Sequence, residues 1–140
     1  MIRKDEMVWS YAFSIGNEKI DSDHKRIIGI YNESVELREN FSSIKFAEIL
    51  SKMTDYSLYH FKREEEYMKK FSYTDLEAHK VFHKNFIYKV SMYNANFFTS
   101  NHPDPEEVIY FLHNWWKNHI LKKDKEYELY KINNGLIADY

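Results

Sequence analysis

Histidine and carboxylate side chains interrupt four apolar stripes of helical period, and no other feature constrains the fold of this chain as strongly. The stripes run Ile20, His24, Ile27, Tyr31, Val35; Phe46, Ile49, Met53, Tyr56, His60, Glu64, Tyr67, Phe71; Leu76, His79, His83, Phe86, Val90, Tyr93, Phe97; and Val108, Leu112, Trp115, His119, with Trp116, Ile120, Asp124 and Tyr127 on the adjacent line. Steps of three and four residues place each set on one side of an α-helix, so four helices face a common core. Imidazoles and carboxylates at such positions cost several kcal/mol each unless something pairs with them. The fold must therefore bring them together around a partner.

Local signals bound the helices. The first is expected to open near Asp21-Ser22 and end about Asn40, which puts His24 in about its first turn; the second follows Ser42 or Ser43. Thr74 with Glu77 three residues on forms a capping box for the third. Asp104-Pro105-Glu106-Glu107 opens the fourth with an N-cap, a proline at the first helical position and acids in the first turn; Asn133-Asn134-Gly135 closes it. Three glycines and two prolines in 140 residues leave few breakers to turn strands. Trp9, Tyr11, Phe13 and Ile15 alternate like a strand but find no partner strand in the sequence, and we read residues 1–19 as an extended arm packed on the bundle. The expected architecture is all-α: one domain over 1–140, with the arm at 1–19, an up-down-up-down four-helix bundle over 20–133 and a tail over 134–140.

Composition removes several functional classes. Twenty basic and 22 acidic residues are dispersed along the chain for a net charge of −2, so no block marks a nucleic-acid or polybasic membrane surface. No signal-like apolar run opens the sequence and no apolar stretch is long enough to span a bilayer, from which a soluble, cytoplasmic protein is expected. The absence of cysteine excludes disulfides, thiolate-ligated clusters and a cysteine nucleophile. Any metal is held by N and O.

Those donors are His24, His60, Glu64, His79, His83, His119 and Asp124. His60/Glu64 and His79/His83 are four apart, about 400° of rotation, so each pair points one way. His119 and Asp124 are five apart, about 140° from eclipsed on a regular helix; on that count they do not point alike, and Asp124 reaches sideways. Five histidine nitrogens and two carboxylates suit two first-row ions. If Glu64 and Asp124 each bridge through both oxygens, and an oxo or hydroxo group is shared, two six-coordinate ions lack one donor between them. The imidazole-rich set favours iron over calcium or magnesium, with zinc and manganese as alternatives. His102 and His113 fall outside the pattern and are read as solvated or structural, and Glu65 and Glu66 are read as surface residues on a solvated helix face.

At these residues the chain resembles the hemerythrin family in its single-domain bacterial form. The resemblance is carried by the arm with Trp9, Asp21-Ser22-Asp23-His24-Lys25, His60-Phe61-x-x-Glu64-Glu65, His79-x-x-x-His83 and Trp115-x-x-x-His119-Ile120-x-x-x-Asp124. It implies a di-iron centre in which His79, His83 and His119 hold one iron, His24 and His60 hold the other, and Glu64 and Asp124 bridge. Dioxygen would bind reversibly at the iron with two histidines. Two departures stand out: Trp116 occupies a position where the family often has a leucine lining the oxygen pocket, so its bulk is expected to narrow access or slow release; and Thr74 replaces a frequent proline.

The function expected is dioxygen storage, delivery or buffering, more an oxygen carrier than an enzyme. The alternatives are a sensor of oxygen, redox state or nitric oxide acting through a redox or signalling partner protein, and a di-iron peroxidase or nitric oxide reductase.

Overall fold

A computed structural model describes residues 3–136, and among them no strand occurs. The helices are α1 (Glu18–Glu36), α2 (Ser43–Lys70), α3 (Leu76–Asn96) and a fourth rod made of α4 (Pro105–Asn118), a π-helical turn (His119–Asp124) and α5 (Lys125–Asn133). Backbone torsions stay right-handed helical across both junctions of that rod. α2, the longest at 28 residues, spans about 42 Å and packs between α1 and α3, while α1 also meets α4. No described helix is long and apolar enough to cross a membrane.

Two starts differ from the sequence expectation. α1 begins at Glu18, where the Asn17 side chain accepts from Ile20 N, so His24 lies in the second turn rather than the first. Asp21, the expected start, is used elsewhere: its Oδ1 accepts from Ile15 N at 2.9 Å and its Oδ2 from Ser14 Oγ, fastening the arm to the helix. The Thr74–Glu77 capping box does not form, and Asp75 is the N-cap with no side-chain bond. The reason lies one turn earlier. Tyr73 N bonds Met68 O and Ser72 N bonds Lys69 O, both at 3.1 Å, the paired bonds of a Schellman C-cap. Tyr73 O then accepts from Leu76 N, so Thr74 lies inside the turn instead of capping the helix.

The cap at Asp104, whose side chain accepts from Glu106 N, and Pro105 at the first helical position are as expected. The described arm is irregular and mostly extended, apart from a turn at Lys4–Asp5 and a 3-10 turn at Tyr11–Phe13. Asn32 holds it by accepting from Met7 N at 2.9 Å and donating to Met7 O at 2.8 Å, and Tyr31 donates to Asp5 O.

The core divides in two. One apolar cluster joins Ile27 to Val35, Phe46 to Phe61, Phe86 to Phe97 and Val108 to Ile120; a smaller one joins Ile15, Ile20, Tyr67, Met68, Phe71, Tyr73 and Tyr127. His24, His60, Glu64, His79, His83, His119 and Asp124 occupy the level between them, buried on all four rods.

Candidate metal centre

Each rod delivers its donors from a different part of its length: α1 gives His24, α2 His60 and Glu64, α3 His79 and His83, and the fourth rod His119 and Asp124. All seven meet in one buried constellation. One set, Glu64, His79, His83, His119 and Asp124, has a donor atom from each residue within 4.8 Å of every other, and so does a second set, His24, His60, Glu64 and Asp124.

The two carboxylates belong to both sets, one oxygen each way. Glu64 Oε1 lies 3.0 Å from His79 Nε2 and 2.9 Å from His83 Nε2, while Glu64 Oε2 lies 3.2 Å from His60 Nε2 and 3.7 Å from His24 Nε2. Asp124 Oδ1 is 3.1 Å from both His79 Nε2 and His119 Nε2, and Asp124 Oδ2 is 3.0 Å from His24 Nε2. The donors thus divide into a three-histidine half and a two-histidine half sharing Glu64 and Asp124.

The π turn corrects one expectation. On a regular helix His119 and Asp124 diverge, yet here both reach the centre. The π-helical segment runs from one to the other, and its ring closes five residues on rather than four, which returns Asp124 to the face of His119. Such turns recur at functional sites.

The polypeptide leaves this constellation chemically incomplete. His24 Nε2, His60 Nε2 and both Asp124 oxygens are buried without a hydrogen-bond partner, and His83 Nε2 faces His119 Nε2 at 3.2 Å. Lone pairs converging on one point, around two buried carboxylates, fit a pair of cations. Without them the charge is balanced by protons. Burial alone lowers the pKa of His24, but the adjacent Asp124 and Glu64 carboxylates outweigh it and push it up to about 9. The same competition raises His79 to about 10. Burial pushes both carboxyls up, and the Glu64 charge adds to this at Asp124, yet the surrounding imidazoles hold Glu64 and Asp124 well below the usual carboxylate range.

A surrounding layer of contacts, missed from the sequence, orients the donors. His60 Nδ1 meets Asp23 Oδ2 at 3.0 Å, and Asp23 is itself held by Arg63 Nε at 3.2 Å and Tyr56 OH at 3.1 Å. His83 Nδ1 meets Glu65 Oε2 at 2.7 Å, so Glu65 is not a purely solvated residue. Tyr127 donates to Glu64 Oε2 at 3.3 Å; its burial, and then the two carboxylates, push its pKa well above the usual value and keep the hydroxyl a donor. Below it Tyr67 donates to Glu128, which pairs with Lys131 at 2.7 Å. The available signal was adjacency: Asp23 and Glu65 each neighbour a donor residue at the edge of a buried stripe.

Aromatic rings close the other side. Phe61 stacks on His83 at 3.8 Å and Trp115 on His119 at 4.3 Å between centroids. Trp116 is fully buried, 6.5 Å from His24 and 6.1 Å from His60 by the same measure. His113 packs on Tyr31, and His102 lies beside Phe97; neither is among the clustered donors.

Known proteins resemble the chain over most of its length. The bacteriohemerythrin of Clostridium acetobutylicum is 34% identical over 125 residues, 86% of this chain and 97% of that protein. The myohemerythrin of Theromyzon tessulatum is 32% identical over 120 residues, covering 86% and 89%. A crystal structure of wild-type hemerythrin superposes with a TM-score of 0.81 at 28% identity, over 88% of this chain and 95% of the other. The hemerythrin HHE cation binding domain matches residues 15–128, a span that holds all seven donors. The centre fits a non-haem di-iron site, and the chain belongs to the hemerythrin family.

Proposed function

We propose that this chain, acting as one domain over residues 1–140, binds dioxygen reversibly for storage, delivery or buffering in the cytoplasm. In this reading His79, His83 and His119 hold one iron, His24 and His60 hold the other, and Glu64 and Asp124 bridge the pair. The observation that carries it is the division of each carboxylate, one oxygen toward the three-histidine half and one toward the two-histidine half. When bound, an iron pair would supply the electrons and a position at which dioxygen is held.

The protein's own groups make that position usable. Asp23 and Glu65 accept from the Nδ1–H groups of His60 and His83, which fixes the tautomer and leaves Nε2 lone pairs directed at the centre. Tyr127 neutralises part of the Glu64 charge with a hydrogen bond and does not compete as a base. Phe61, Trp115 and Trp116 cover the imidazoles, so water is excluded from a site whose small ligand is apolar and enters without charge. The buried acids outside the donor set, Asp23 and Glu128, are held in ion pairs with Arg63 and Lys131, which favours binding over turnover.

The test is anaerobic loading with ferrous iron followed by cycles of air and argon. Two irons per chain and an optical spectrum that appears and disappears over repeated cycles are expected. Irreversible oxidation in the first cycle, or consumption of oxygen with added reductant, would replace the carrier reading with an oxidase.

A further inference from the structure

Beyond the donor atoms that face one another, three buried polar atoms near the centre have no hydrogen-bond partner among the described residues. They are Trp116 Nε1, Ser57 Oγ and His24 Nδ1. His24 belongs to the two-histidine half, and the Trp116 ring reaches it at 6.1 Å from His60 and 6.5 Å from His24, with His119 at 6.3 Å on its other flank. Ser57 precedes His60 by three residues and Phe61 by four, so it shares their face of α2, and Trp116 packs on Phe61 of that face at 5.6 Å. On the other half, His83 Nδ1 already has Glu65.

Trp116 is the most telling of the three. Its ring is wedged against Phe61 at 5.6 Å, Phe86 at 5.2 Å and Trp115 at 4.9 Å, with no exposed surface. Packing needs only the ring, and a phenylalanine or leucine packs without burying a donor. A buried indole N–H nearly always has an acceptor, because leaving it unpaired forfeits the water it bonded in the unfolded chain. The acceptor here must come from outside the polypeptide.

We propose that Trp116 is a specificity-determining residue whose indole N–H donates a hydrogen bond to the small exogenous ligand on the two-histidine side. The ligands favoured are those whose far atom carries a lone pair and partial or full negative charge. The pocket is then polar at one point, with Ser57 Oγ as a second group able to donate or accept, where a leucine would leave it wholly apolar. This inference rests on the two-iron reading above and adds a role for Trp116 distinct from bulk.

The experiment uses the oxidised, iron-loaded protein with azide as probe. Wild type is compared with Trp116→Phe, which keeps an aromatic ring and removes the N–H, with Trp116→Leu, and with Ser57→Ala. Affinity is read by optical titration, and the azide stretching frequency by infrared or resonance Raman spectroscopy in H2O and D2O. A hydrogen bond to a charged acceptor is worth roughly tenfold or more in affinity. Azide should therefore bind Trp116→Phe about tenfold more weakly, and the isotope shift present in wild type should vanish in both Trp116 variants. Unchanged affinity and a retained shift in Trp116→Phe, with an altered rate in Trp116→Leu alone, would reduce Trp116 to bulk and overturn the proposal. A shift that survives in Trp116→Phe but is lost in Ser57→Ala would overturn it as well, assigning the donor to a Ser57-held water. Wild-type protein that takes up fewer than two irons per chain overturns the reading beneath, and that failure is visible in the metal content before azide is added.

Discussion

Removing the charge at Asp23 should loosen one metal ion and spare the other. His60 has no exposed surface and Asp23 is 3% exposed, their contact is 3.0 Å, and the carboxylate is steadied by Arg63 and Tyr56. Burial pushes the Asp23 carboxyl up, but the bonds from His60, the Arg63 charge and Tyr56 outweigh it and hold the group ionised. A hydrogen bond to such a charged acceptor contributes about 1.5–3 kcal/mol, and loss of a partner behind a ligand histidine costs about 10–100-fold in metal affinity. Asp23→Asn, which can still accept from Nδ1, should cost about tenfold, and Asp23→Ala up to about a hundredfold. Nothing in this path touches His79, His83 or His119. Competition of cobalt(II) against a chromophoric chelator, followed anaerobically, should resolve two binding steps, of which only one weakens. Tyr56→Phe removes one support of Asp23 without touching His60 and should cost about threefold or less. Equal weakening of both steps, or none, refutes the reasoning.

Three further outcomes follow from other parts of the molecule. In the metal-free protein His24 and His79 have pKa values raised from the usual 6.5 to about 9 and about 10, so the stability they contribute is complete below about 6.5 and is lost as pH rises through 9 to 10; thermal unfolding of apoprotein should show Tm falling across that window, and metal addition at pH 7.5 should release protons into a weakly buffered solution. A flat Tm profile would contradict it. Ser72 sits at φ 53° in the C-cap of α2, whereas Gly135 fills the equivalent place, φ 63°, after α5; Ser72→Gly should raise stability by about 0.5–1 kcal/mol, read as a higher denaturant midpoint with unchanged slope. Deleting Lys122, an exposed residue within the π turn, leaves His119 and Asp124 four residues apart, a spacing that a regular helix holds on one face, so the variant should keep two irons per chain; loss of iron from this variant would show that the π turn does more than absorb one extra residue.

The features legible in the sequence are those fixed by period. A stripe such as Leu76, His79, His83, Phe86, Val90 admits one helical face, and histidines within it have only the core to enter; all seven donors were found this way. Local chemistry was legible where nothing competed, as at Asp104-Pro105 and at Gly135. It failed where a tertiary contact claimed the residue first: Asp21 serves the arm through Ile15 N and Ser14 rather than capping α1, and the Schellman cap through Tyr73 displaces the capping box at Thr74. The π turn was hidden for a related reason. His119-Ile120-Leu121-Lys122-Lys123-Asp124 contains no breaker, and only the convergence of His119 and Asp124 on donors from three other rods shows that the backbone accommodates one extra residue. Asp23 and Glu65 were out of reach because their partners lie 37 and 18 residues away on neighbouring helices.

Anomalous scattering at the iron edge from crystals of the loaded protein tests the central claim most directly. Two peaks of similar height are expected, about 3.5–4 Å apart, one among the Nε2 atoms of His79, His83 and His119 and one between those of His24 and His60, with Glu64 and Asp124 spanning them. A single peak, or a second peak outside these seven residues, would contradict the account.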